Sequence, residues 1–169
     1  MRQLLAARID RPGGFGSRVW EAASASSQAN MDNPRLLATL ARRLQSDAEA
    51  EHIADVVVST WHQIDAVLTP LIGRDGVAAL YKRGVHLTMV AHPWLAGTQD
   101  ELERRGDLSA LRAALARQGS ADAAAGGVAF LHTFYTLLTS MVGGSLTDQL
   151  LGSVWARSIS SMPAQETQP

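Results

Sequence analysis

The chain has 169 residues, enough for one domain with a sizeable core. Its formal net charge is -1, from 15 Lys and Arg against 16 Asp and Glu, so no overall field attracts nucleic acid or an anionic membrane. It contains no cysteine, which excludes disulfides, thiolate nucleophiles and zinc or iron sites with sulfur ligands. The N-terminus lacks the pattern of a secretory signal, and polar residues interrupt the most apolar stretch. We therefore expect a cytoplasmic protein that binds neither nucleic acid nor membrane.

Helix-forming residues dominate the chain, and no stretch alternates apolar and polar residues as a strand does, which predicts an all-α fold. Residues 1–30, which include the glycine-rich run DRPGGFGS, are predicted to be loosely ordered. Residues 31–160 are predicted to form a single helical domain, and residues 161–169 a disordered tail.

Proline, glycine and capping residues predict where the helices begin and end. Pro34 follows a good N-cap and should open the first helix. Ser46 and Glu49 have the spacing of a capping box, so the next helix should begin directly after Ser46. In chain order, the expected helices are one from Pro34, then 47–72, 75–91, a short one between Asp107 and Gly119, 120–142 and 145–159.

Two stretches separated by seventy positions resemble each other. Residues 62–73 read HQIDAVLTPLIG and residues 132–143 read HTFYTLLTSMVG. The histidine, the Leu-Thr pair and the closing glycine are identical, which gives four identities in twelve positions where roughly one is expected by chance. Either an internal duplication or a shared helical pattern explains this similarity.

Each copy predicts a helix, a glycine turn and a second helix, hence two long antiparallel helical hairpins. An apolar stripe on each hairpin has to be buried, and packing the hairpins together as a four-helix core, with shorter helices on its sides, achieves this. The stripes comprise Ile53, Val57, Trp61, Ile64, Leu68 and Leu71 in the first copy, and Leu131, Phe134, Leu138 and Met141 in the second. His62 and His132 fall opposite the stripes, so both should be exposed.

Exposed histidines on a helical bundle are typical of histidine phosphotransfer modules. The basic neighbour and the small glycine that usually flank such a histidine are missing around His62 and His132. Asp55 and Ser59 share the outer face with His62 and supply the residue types of a hydrolase triad, but triads are recognised by geometry. An ordinary surface or interface histidine is the simplest interpretation.

Metal and haem sites have weaker support. His52 with Asp55, and His62 with Asp65, could each place two ligands on adjacent turns, but the paired Glu-x-x-His motifs of a metal bundle are missing. His62 and His92 have a spacing that suggests haem ligands, yet His92 directly precedes a proline that ends a helix. We therefore expect no metal and no cofactor.

Two further groups of side chains are candidates for interaction. Arg74, Lys82, Arg83 and His86 fall on the outer part of the helix after the first glycine turn, where they form either a solvated face or a docking patch for an acidic partner. Trp94 and Trp155 lie close to helix ends and could anchor an interface, because aromatic residues are enriched at contact centres.

The sequence favours a non-enzymatic regulatory or adaptor protein of bacterial signalling, acting through contact with another protein and self-associating, for instance as a dimer. Such a protein should expose a contiguous apolar patch. One alternative is a helical sensor domain that binds a small apolar ligand or haem between the hairpins. A second alternative is a histidine phosphotransfer module that uses His62 or His132.

Overall fold

A computed structural model describes residues 34–46, 49–99 and 107–161. These residues form helices and their connections without any strand, so the predicted all-α fold is confirmed. The predictions for residues 1–30 and for the tail after residue 161 lie outside the described residues. The helices are α1 (34–45), α2 (Ala50–Thr88), α3 (Ser109–Ala116), α4 (Ser120–Val142) and α5 (Gly144–Ser160), with one turn of 3-10 helix at Pro93–Leu95.

The predicted capping box is wrong. α2 begins at Ala50 instead of Asp47, and Glu49 is an N-cap residue whose side chain makes no capping hydrogen bond. The hydroxyl of Ser46 donates instead to the carbonyl oxygen of Arg43 at 3.1 Å. Ser46 therefore ends α1, where a serine can bond back to a free carbonyl of the last turn.

α2 is interrupted at Gly73, whose φ of 75° and ψ of 167° are not helical. The ring centroids of Trp61 and Tyr81, on either side of this glycine, are 5.1 Å apart. Twenty residues of continuous helix would separate them by about 30 Å. The chain therefore reverses at Gly73, and segments 50–72 and 74–88 pack against each other.

Gly143 has nearly the same backbone angles, φ 85° and ψ 155°, and separates α4 from α5. Across it, the phenolic hydroxyl of Tyr135 donates to Oδ1 of Asp148 at 2.8 Å. A continuous helix would place these two residues about 20 Å apart. The chain therefore reverses at Gly143 as it does at Gly73.

Segment 50–72 and α4 run parallel to each other. A Cβ built on Gly127 would lie 2.7 Å from Cγ2 of Val57, so these two backbones approach closely. One turn further along, Trp61 contacts the rings of Phe130 and Phe134 at centroid distances of 5.5 and 4.8 Å. Because the contacts advance in the same direction on both helices, both glycine reversals lie at the same end of the molecule.

Buried aromatic rings fill the space between segments 50–72, 74–88 and α4. Trp61 is 1% exposed and contacts Tyr81, Phe130 and Phe134, and Tyr81 also contacts Phe130 at 5.6 Å. Three of these four pairs, all except Trp61–Phe130, are edge-to-face, a geometry that is favourable beyond the area they bury. The hydroxyls of Thr60 and Ser158, 2.8 Å apart, connect this core to α5.

Burial repeats along the chain as the sequence does. Residues 61–72 and residues 131–142 show the same succession of buried, half-buried and exposed side chains at all twelve positions. Positions seventy residues apart therefore share the same degree of burial in this part of the chain, and any two residues at this offset are called equivalent below.

Candidate interaction surfaces

His62 and His132 are both exposed, as predicted. His62 lies between two grooves and lines both of them. The narrower groove, about 450 Å³, runs between segment 50–72 and α5, and Asp55, Ser59, Gln63 and Arg157 also line it. The residue types proposed for a hydrolase triad therefore share one groove.

The carboxylate of Asp55 pairs with a side chain of another helix. Nε of Arg112, in α3, donates to Oδ1 of Asp55 at 2.6 Å. This hydrogen bond lowers the pKa of Asp55, and the charge of the guanidinium adds to the effect. A triad needs the carboxylate to orient the histidine, whereas here it holds α3 against α2.

The wider groove, about 850 Å³, runs between segments 50–72 and 74–88. Its floor is apolar, and charged or hydroxyl side chains stand at its edges. Its lining consists of Trp61, His62, Asp65, Ala66, Thr69, Pro70, Arg74, Asp75, Val77, Ala78, Ala79 and Leu108. The volume lies within the roughly 300–1,000 Å³ typical of ligand pockets.

Between α4 and α5, side chains of the protein itself lie at the positions seventy residues further along the chain. Tyr135 is equivalent to Asp65, and Asp148 is equivalent to Ala78. The ring of Tyr135 crosses between α4 and α5 to reach Asp148, which is buried. Burial and the hydrogen bond to this carboxylate both raise the pKa of Tyr135. The sequence analysis missed this pair, although comparing the two copies at their fixed offset reveals both substitutions.

The end of the molecule that carries both glycine reversals is apolar and exposed. Leu71 is 60% exposed and Met141, its equivalent, is 62% exposed, so the prediction that both are buried in the stripes is wrong. Both lie in the last helical turn before a reversal. Ile72 and Val142, the next pair, are 41% and 38% exposed, and Leu146 lies beside them on the first turn of α5.

The cationic candidates are spread along segment 74–88. Arg74, Arg83 and His86 are exposed, and Lys82 is half-buried. Arg74 follows the glycine reversal, whereas His86 lies about 18 Å further along the helix. Arg74 therefore lies at the end of the molecule that carries the reversals and lines the wider groove, whereas Lys82, Arg83 and His86 lie further towards the opposite end.

The two tryptophan candidates pack within the protein. Trp155 is completely buried, so the prediction that it anchors an interface with another chain is wrong. Trp94 is half-buried against α4, where a Cβ on Gly126 would lie 2.3 Å from its ring. A larger residue at position 126 would collide with the ring of Trp94, so glycine is required there.

No protein-family model, curated protein or solved structure matches this chain. Within the described residues, α4 alone is long and apolar enough to cross a membrane, a test that the core helix of a soluble protein also passes. Within the protein, 33% of the most apolar 18-residue window of α4 is buried. The same part of the chain holds no cluster of three or more His, Asp or Glu side chains that could bind a metal ion.

Proposed function

We propose that this chain is a non-enzymatic regulatory or adaptor protein of bacterial signalling, which acts through protein contact and self-associates. The observation that carries the proposal is the apolar end, defined here as Leu71, Ile72, Met141, Val142 and Leu146. All five side chains are large, apolar and exposed. Apolar residues gathered at one end of a molecule are typical of a contact surface.

The apolar end offers enough free energy to support association. Full burial of one such side chain contributes about 1.5–3 kcal/mol, and each of the four paired residues still has roughly half of its surface to bury. Their combined contribution is therefore about 4 kcal/mol per copy, or about 8 kcal/mol when two copies meet, before the cost of association. Because that cost is itself about 4–15 kcal/mol, the contact should be weak and reversible.

A second copy of the chain is the partner that this end fits. Arg74 and Asp75 follow Gly73 directly, are exposed, and carry opposite charges on neighbouring residues. Under two-fold symmetry, Arg74 of each copy can approach Asp75 of the other, so the charged edge is complementary to itself. The apolar residues from the two reversals would then meet at the centre of the contact.

We also infer that the bundle consists of two antiparallel helical hairpins that arose by internal duplication. The matching burial over twelve positions and the matching angles of Gly73 and Gly143 support this inference. The four-ring aromatic cluster between the hairpins leaves little room there for a small apolar ligand or haem, so the sensor alternative is less favoured.

Phosphotransfer at His62 is a second candidate, favoured by its exposed imidazole and by Arg157 in the same groove. A phosphorylated receiver domain should then transfer its phosphoryl group to the wild-type chain and not to His62→Gln. Acid-labile phosphohistidine is the product to detect. Equal labelling of both proteins would contradict this candidate.

A dilution series followed by methyl NMR tests the proposed contact surface. The methyl resonances of Leu71, Ile72, Met141 and Val142 should shift as the concentration increases, because their surroundings change when two copies associate. Those of Val90, 81% exposed at the opposite end of segment 74–88, should not shift. Shifts at Val90 without shifts at the apolar end would contradict the proposal.

A further inference from the structure

The two hairpins differ in how they use the space between their helices. In the second, the phenol of Tyr135 enters between α4 and α5 and donates to the buried carboxylate of Asp148. In the first, the equivalent positions hold Asp65 and Ala78, and the space is an open groove of about 850 Å³. The protein itself therefore shows which group fits between two such helices.

In the open groove a carboxylate, Asp65, stands at the position of the phenol, and Ala78 stands at the position of the phenol's acceptor, so a phenol that enters would come from another molecule. Asp65 supplies a half-buried carboxylate, and its Oδ1 accepts a hydrogen bond from Thr69 at 2.9 Å. Its other oxygen can accept a hydrogen bond from a second donor. Trp61 and the small Ala78 provide an apolar floor, against which an aromatic ring can be buried.

We propose that this groove binds an unmodified tyrosine side chain of a partner protein, whose ring enters between segments 50–72 and 74–88 and whose hydroxyl donates to Asp65. Arg74 also lines the groove, but a phosphate on the tyrosine hydroxyl would face the carboxylate of Asp65, which repels it, so phosphotyrosine should bind more weakly than tyrosine. The proposal depends on the proposed function only in that the tyrosine belongs to a partner protein.

The phenol mimic 4-methylphenol, followed by amide and indole NMR shifts, tests the groove directly. It should bind in the millimolar range and shift the resonances of Trp61, Asp65 and Ala78. Toluene, which lacks the hydroxyl, and 4-methylphenyl phosphate, which carries the phosphate charge, should each bind at least about tenfold more weakly. Shifts confined to other residues, or equal binding of all three compounds, would overturn the proposal.

Two double variants exchange the hairpins' roles. Asp65→Tyr with Ala78→Asp should fill the first groove as the second is filled, and abolish the shifts. Tyr135→Asp with Asp148→Ala should open the second groove and create a second set of shifts near α5. If the filled variant does not fold, Ala78→Leu narrows the groove with a single apolar change and should weaken binding in the same direction. Unchanged binding in the folded variant would overturn the proposal.

These outcomes are independent of the apolar end. If 4-methylphenol does not bind while the methyl resonances at the apolar end still shift with concentration, the tyrosine site is wrong and the self-association stands. If the probe binds while those methyl resonances do not shift, the groove stands and the proposed contact surface fails.

Discussion

Gly127→Ala tests the close approach of the two long parallel helices. The added Cβ would lie 2.7 Å from Cγ2 of Val57, a side chain with no exposed surface, so one of the two helices has to shift. Overpacking of this kind costs about 1–3 kcal/mol. Replacing glycine within a helix returns about 1 kcal/mol. We expect a net loss of about 1 kcal/mol in the free energy of unfolding.

Val57→Ala removes the group that clashes. Alone, it should cost about 2 kcal/mol, because two buried methyl groups are lost and a cavity remains. Combined with Gly127→Ala, the new methyl group fills part of that cavity and the clash disappears. The double variant should therefore lose only about 1 kcal/mol, which corresponds to a coupling of about 2 kcal/mol between the two sites.

Urea unfolding monitored by circular dichroism measures all four free energies. The matched control is Gly126→Ala with Val57→Ala, because a Cβ on Gly126 meets Trp94 instead of Val57. This control pair should be additive. If the effects at Val57 and Gly127 were also additive within about 0.5 kcal/mol, segment 50–72 and α4 would not touch there, and the parallel arrangement would be refuted.

Two other predictions concern stability. Burial raises the pKa of Tyr81 to about 12. The contribution of the neutral Tyr81 phenol to the free energy of unfolding is therefore complete below about pH 10, and about 2–3 kcal/mol is lost as the pH rises towards 12. Urea titrations should show a steeper alkaline loss of stability in wild type than in Tyr81→Phe. Parallel curves would contradict this. Gly73→Ala and Gly143→Ala should each lower the free energy of unfolding by about 1–3 kcal/mol, because both positions have a positive φ. Thermal unfolding measures this loss. The control Gly119→Ala should show little change, because Gly119 has a φ of -63° and open space at its Cβ.

Much of the helical layout could be predicted because glycine and proline act locally. Gly73 and Gly143 have positive φ, and the stripe through Ile53 and Trp61 is buried as its period indicates. The period continues through Leu71, but burial requires a neighbouring element, and Leu71 lies at the end of its helix, where it is 60% exposed. Local periodicity therefore predicts which side chains form an apolar stripe, but it does not predict where the neighbouring helix that buries the stripe ends.

The details of the candidate surfaces depend on contacts that a single helix does not reveal. The sequence places Trp155 close to a predicted helix end, but in the structure its side chain is completely buried in the core. The hydrogen bond from Tyr135 to Asp148 spans thirteen residues and requires the reversal between them. The sequence indicates the open groove only when Asp65 and Ala78 are compared with Tyr135 and Asp148, because neither Asp65 nor Ala78 predicts a groove by itself.

Sedimentation equilibrium tests the central claim, that two copies meet through the apolar end, most directly. The wild-type chain of 18.1 kDa should show a mass that increases with concentration towards twice that value. Leu71→Ser with Met141→Ser should remain monomeric over the same range, while Val90→Ser, which changes the 81% exposed Val90 at the opposite end, should behave as wild type. A wild-type chain that stays at 18.1 kDa at every concentration, or a double variant that associates as strongly as wild type, would contradict it.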